Sequence, residues 1–148
     1  MKPNIWKAIA GGFIGTVMLT LMMRFVAPMM GVRMDIVGKL GEMTHTGMAG
    51  GLFMHFLNGT VIFPLIYVYL LYRWLPGTPW QKGLLWGLIL WLGLETVMVP
   101  MMGGGIFSTE MGGMKAVMAA LIGHLVYGVL LGAIAGAPAV AGSVKAAA

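Results

Sequence analysis

The sequence predicts an all-α integral membrane fold: a bundle of four transmembrane helices built from two tandem, similar helical hairpins. Three observations carry this. The chain of 148 residues is 59% hydrophobic and only 9% charged, with a mean hydropathy of +0.93, whereas soluble domains carry about 25% charged residues. Four apolar stretches, 5–26, 48–72, 83–99 and 114–136, approach or exceed the roughly 20 residues that cross a bilayer. Motifs of the first half recur in the second. The expected organisation is one membrane domain over 1–136, with repeat units at about 5–74 and 80–136, and a disordered tail over 137–148 made of small residues and one lysine.

Composition also excludes. There is no cysteine, which removes disulfides, thiolate zinc sites, iron–sulfur clusters and c-type haem attachment. The net charge of +5 rests on nine scattered Lys and Arg, too few for a nucleic-acid surface. No nucleophile–base pair, phosphate loop or carboxylate dyad stands out, so the protein reads as a carrier or binding subunit rather than an enzyme.

The first span follows Lys2 and Lys7 and ends before Pro28. It lacks an Ala-x-Ala cleavage site and is read as retained rather than as a signal peptide. The first long link holds Met34–Met43, with Ile36, Val37, Leu40 and Met43 on one side and Asp35, Lys39 and Glu42 on the other, the spacing of a short amphipathic interfacial helix. The second span carries His55 and a central Pro64, expected to bend it. Pro76-Gly77 turns the chain into the third span, which contains Glu95, and a Gly103–Gly105 run leads to the fourth, which contains His124. Lys2, Lys7, Arg73, Lys82 and Lys145 fall on one side with no acid. The positive-inside rule then places both termini in the cytoplasm of a bacterial or archaeal inner membrane. Trp6, Trp74, Trp80, Tyr69 and Tyr72 suit an interfacial belt on that side.

The repeat is legible in two motifs. Gly11-x-x-x-Gly15 with Pro28-Met-Met-Gly31 recurs at one offset as Gly83-x-x-x-Gly87 with Pro100-Met-Met-Gly103; His55–Gly59 recurs as His124–Gly128 at an offset three residues shorter. Two hairpins of equal topology are expected to share a two-fold axis along the membrane normal. His55 and His124 then become equivalent positions at one depth, roughly 10–15 Å inside the outer ends of their helices at 1.5 Å per residue. Glu95, Thr20 and Thr96 fall at a similar height, with Asn58 and Tyr127 about one turn deeper.

Two imidazoles on facing helices are what a six-coordinate haem iron requires. The expected function is therefore a small membrane cytochrome binding haem b through His55 and His124, active in electron transfer or as an accessory subunit of a respiratory complex. Gly51 and Gly59 flank His55 at four residues either side, as Ala120 and Gly128 flank His124; small residues on the ligand's face would leave a slot for the porphyrin. Arg24, Arg33 or Lys115 would meet the propionates. Glu95 would orient a ligand histidine or act as a third metal ligand. Membrane cytochromes b have a similar architecture. In the structural alternative the histidines are satisfied core groups, His55 bonded to Glu95 or Thr96 and His124 to Asn58 or a carbonyl.

The methionines support a rival. There are 16, gathered towards the outer side, and thioethers favour Cu(I). A copper-binding or copper-transporting protein would use Met29, Met30, Met101 and Met102 at its mouth, with Glu95, His55 and His124 within. A third reading is a structural subunit without cofactor. The expected partners are the bilayer, other membrane or respiratory subunits or a second copy, and a quinone in a Met-lined pocket.

Overall fold

The computed structural model describes residues 2–32 and 35–137. Four helices have the length and hydropathy of membrane spans: α1 (Ile5–Met29), α3 (Gly47–Leu71), α4 (Pro79–Met101) and α5 (Gly113–Ala135). A short helix, α2 (Ile36–Met43), lies between the first two, and the chain makes a single 3₁₀ turn at Ile106–Ser108 before α5. No strand occurs among the described residues. The protein is an all-helical transmembrane bundle, as the composition requires. The proposed tail lies outside the described residues except for Ala137, and so does Arg33.

Helix ends are set by local chemistry. The Asn4 side chain accepts from Lys7 N at 3.1 Å, and the Asp35 carboxylate accepts from Gly38 N at 2.8 Å, each satisfying an orphan donor of a first turn. At α4, Pro79 occupies a position where its missing N–H costs nothing, and the Gln81 side-chain oxygen accepts from Thr78 N and Oγ at 2.8 and 2.9 Å. α1 and α4 stop in the same way. Val32 N donates to Ala27 O and Gly104 N to Val99 O, at 3.0 and 2.9 Å, across Gly31 and Gly103, whose φ of 77° and 79° suit glycine.

Both helices run through a proline that the sequence reading placed beyond their ends. Pro28, Pro64 and Pro100 are each preceded by a five-residue π-turn, Met22–Val26, Asn58–Ile62 and Leu94–Met98. The residue just before each proline donates five positions back, Ala27 to Met22, Phe63 to Asn58 and Val99 to Leu94. A proline ring clashes with the carbonyl four residues earlier; the wider turn accommodates that clash without ending the helix.

Glycine seams hold the spans together. Gly83 lies against the Gly128 carbonyl and the Gly132 Cα, and Gly87 against the His124 carbonyl, so that α4 and α5 meet backbone to backbone. Gly11 and Gly15 press α1 onto α5 at Leu131 and Tyr127, while Gly12 meets the Gly59 carbonyl and Pro64 of α3. Such contacts suit helices in lipid, where close van der Waals approach rather than hydrophobic expulsion drives association. α5 therefore sits between α1 and α4, and α3 leans on α1. The beginning of α1 also meets the end of α5, Asn4 N donating to Ala135 O at 3.1 Å and Lys7 Nζ to Ala137 O at 2.9 Å.

α3 and α4 meet near the 72–79 turn. There Phe63 packs edge-on against Trp86 with centroids 6.2 Å apart, Tyr67 donates to Pro79 O at 3.3 Å and Lys82 Nζ donates to Tyr72 O at 2.7 Å. This end holds the main core of Tyr67, Tyr72, Trp86, Tyr127 and Leu131. Trp6, Tyr69, Trp74 and Trp80 are exposed here as an interfacial belt expects, whereas Tyr72 is buried because the turn folds it under Lys82, 4.4 Å from its ring. At the opposite end α2 buries Ile36, Val37 and Leu40 and is seated on α3 by Gly41 under the Gly47 carbonyl and Gly51 under the Val37 carbonyl.

Candidate cofactor cavity

Towards the α2 end the bundle encloses a cavity of about 560 Å³, within the range of ordinary ligand sites. Its walls come from all four spans, and Val32, Ile36 and Leu40 close it at the α2 end. Phe63 and Tyr127 mark its deep end. The lining is overwhelmingly apolar, with His55, Asn58, His124 and Thr16 among its few polar side chains. It reaches the lipid-facing side of α4 at Ile89 and Val97, both exposed, on either side of Gly93, where an added Cβ would meet nothing within 4 Å.

His55 comes from α3 and His124 from α5. Nδ1 of His124 is 2.8 Å from the Ala120 carbonyl one turn earlier on the same helix. A carbonyl only accepts, so Nδ1 carries the hydrogen and Nε2 keeps its lone pair. His55 Nε2 lies 3.2 Å from Thr20 Oγ of α1, and its ring stands edge-on to Phe56 with centroids 5.9 Å apart. Tyr127 crosses beneath them to donate to Gly59 O at 2.7 Å. Both imidazoles thus line one largely apolar cavity.

Residues 3–142 match a family described as "Family of unknown function (DUF6789)". The chain belongs to the DUF6789 family. No curated protein and no solved structure matched it. The match covers all four spans, α2 and the whole cavity of this DUF6789 protein.

Several expected site residues fall elsewhere. Gly51 and Gly128 do not open a porphyrin slot, because their small faces are taken by the α2 and α4 backbones, and Gly59 lines the cavity but abuts Thr16. Ala120 does line it. Arg24 and Lys115 are exposed outside the cavity, so no basic side chain among the described residues reaches a ligand within it. Met30 and Met102 line the cavity together with Met22, Met23 and Met98, but Met29 and Met101 point away, 86% and 65% exposed.

Glu95 does not join the histidines at the cavity: it is fully buried away from its lining and accepts from Ser108 Oγ at 2.8 Å, while its Oε1 has no hydrogen-bond partner. Thr96, expected as a partner for His55, donates to its own helix at Leu92 O, at 2.7 Å. Among the described residues, no three His, Cys, Asp or Glu side chains converge as a metal site. Ser108 was not anticipated. It reaches Glu95 because Phe107 and Ser108 adopt φ of 52° and 51°, unusual for residues with a Cβ, with Phe107 anchored on Trp91 at 6.0 Å. The i, i+13 spacing of the pair across a glycine-rich loop leaves no periodic signal in the sequence.

Proposed function

We infer that the cavity is a haem b site with His55 and His124 as the axial ligands, and that the protein transfers electrons in the membrane or serves as an accessory subunit of a respiratory assembly. The observation that carries this reading is that the two histidines, from different spans, line one apolar cavity of about 560 Å³, with Nε2 of His124 left as a lone pair. Ala120 beside His124 leaves room at that ligand. The lipid-facing edge at Ile89 and Val97 suits a partner arriving through the bilayer, such as a quinone. The location follows from charge: a bacterial or archaeal inner membrane, both termini cytoplasmic, with α2 on the outer face. The recurrence of the helix-end hydrogen bonds in α1 and α4 supports a hairpin repeat as its origin, although the packing of α1 on α5 has no counterpart of similar extent between α3 and α4. The test is an absorbance spectrum of detergent-purified protein expressed with ample haem, oxidised and then dithionite-reduced. Sharp low-spin bands that disappear in His55→Ala and His124→Ala support the reading; a featureless spectrum overturns it.

A second reading has its own observation. Five methionines, Met22, Met23, Met30, Met98 and Met102, share the cavity with the two imidazoles, a donor set suited to Cu(I). Under it, the purified protein takes up Cu(I), and a Met30/Met98/Met102 triple change to Leu removes most of the uptake. Retention of Cu(I) by that variant eliminates this reading.

A further inference from the structure

The polar groups that the cavity offers to a ligand are few enough to count. Among the described residues its lining includes no Lys, Arg, Asp or Glu. A charged group brought inside therefore lies unpaired in apolar surroundings, which is costly. Thr16 gives its hydroxyl hydrogen to Gly12 O and Tyr127 gives its own to Gly59 O, both at 2.7 Å. His55 Nε2 is engaged with Thr20 Oγ at 3.2 Å. Two groups remain without a partner. Nε2 of His124 holds a lone pair, because Nδ1–H is given to Ala120 O at 2.8 Å. The Asn58 amide makes no hydrogen bond within the chain among the described residues, and it can donate or accept. Access is from the side. α3 and α4 meet through Phe63 and Trp86 and part beyond them, and the gap opens to lipid at Ile89 and Val97, on either side of Gly93. Apolar cavities in proteins take up apolar molecules rather than water, and one open to the bilayer core draws them from there.

We propose that, in the chain without haem, this cavity binds an uncharged lipid with a hydroxyl head, whose hydroxyl donates to Nε2 of His124 and whose hydrocarbon chain leaves past Gly93 between α3 and α4. The inference goes beyond the haem reading and does not rest on it: lipid and haem take the same space, so each excludes the other. Recognition has two parts. A carboxylate or phosphate head finds no cation in the lining and stays outside. A head without a hydrogen to give, such as an ether, enters but leaves the His124 lone pair unmatched, and a buried acceptor without a donor weakens the complex. The hydroxyl is therefore selected by His124 and the absence of charge by the rest of the lining.

The probes are para-decylphenol and its methyl ether, which share a skeleton and differ in the hydroxyl hydrogen. Each is titrated calorimetrically into haem-free, detergent-purified protein. The phenol should bind about tenfold more tightly than the ether. His124→Leu should weaken the phenol and leave the ether unchanged, so that the two become equal. Gly93→Phe, whose side chain enters the opening, should weaken both while the protein melts as the wild type does. Decanoate, with its charged head, should not bind. Absence of phenol binding, equal affinity for phenol and ether in the wild type, or an undiminished preference in His124→Leu overturns the proposal; the first two comparisons need no variant to fold. Adding haem to the phenol-loaded protein should displace the phenol. A protein that binds the phenol as stated but takes up no haem upholds this inference and overturns the haem reading. Haem uptake by a protein indifferent to the phenol does the reverse.

Discussion

Where α4 meets α5, glycine carbonyls and Cα atoms touch across the seam at Gly83, Gly87, Gly128 and Gly132. Where α4 faces α3, the helices meet through aromatic side chains at one end and part towards the other around an apolar chamber. The same composition of Gly, Leu and aromatic residues gives both results. In a bilayer, apolar side chains gain little by meeting each other rather than lipid, so helices close only where small residues let their backbones approach. Glycine lines the seam of α4 at two positions four apart, and at Gly93, beyond them, it borders open space. What separates a packing glycine from a cavity glycine is therefore the neighbour across from it.

The comparison can be broken most forcefully at the seam. Gly83→Leu places a side chain into the Gly128 carbonyl and the Gly132 backbone, neither of which can yield as a flexible side chain does. Overpacking of this kind costs about 3 kcal/mol, and thermal unfolding in detergent should show a large drop or loss of folded protein. A variant that melts with the wild type would mean the seam is not closed. Next in size is Ser108→Ala, which removes the hydrogen bond to a fully buried carboxyl and should cost about 1–3 kcal/mol in the same melt. Glu95→Gln, which keeps an acceptor for Ser108, should cost less; the reverse order would show that the carboxyl matters for its charge. Smallest is Gly93→Ala, since its added methyl meets nothing within 4 Å. Stability should stay within about 0.5 kcal/mol of wild type, or rise slightly because alanine favours helix. A drop like that of Gly83→Leu would mean the chamber is closed in solution.

How much of this was legible beforehand follows from the range of each interaction. The spans were legible because hydropathy sums over some 20 residues, and α2 because its apolar face repeats within a few turns. The helix ends were misjudged at Pro28 and Pro100, since a proline reads as a stop unless a π-turn relieves it. That His55 and His124 belong to one region of the bundle was legible from helix rise, and both line the cavity. Their hydrogen bonds were only half so: a carbonyl partner for His124 was anticipated, but Thr20 for His55 requires knowing that α1 and α3 cross there. The porphyrin slots failed at Gly51 and Gly128 for a related reason. Spacing along a helix tells which residues share a face, and only the fold tells that α2 and α4 already occupy those faces. The partition of the methionines, Met30 and Met102 inside and Met29 and Met101 outside, came from the same source.

The central claim is that the chamber between His55 and His124 is filled by haem. Its most direct measurement is a haem titration of the detergent-solubilised wild type and of His124→Ala, followed by absorbance, with bound haem counted per chain. One haem per wild-type chain, with at least tenfold weaker binding in the variant, is the predicted result. Uptake that is absent, or identical in the two proteins, would contradict it.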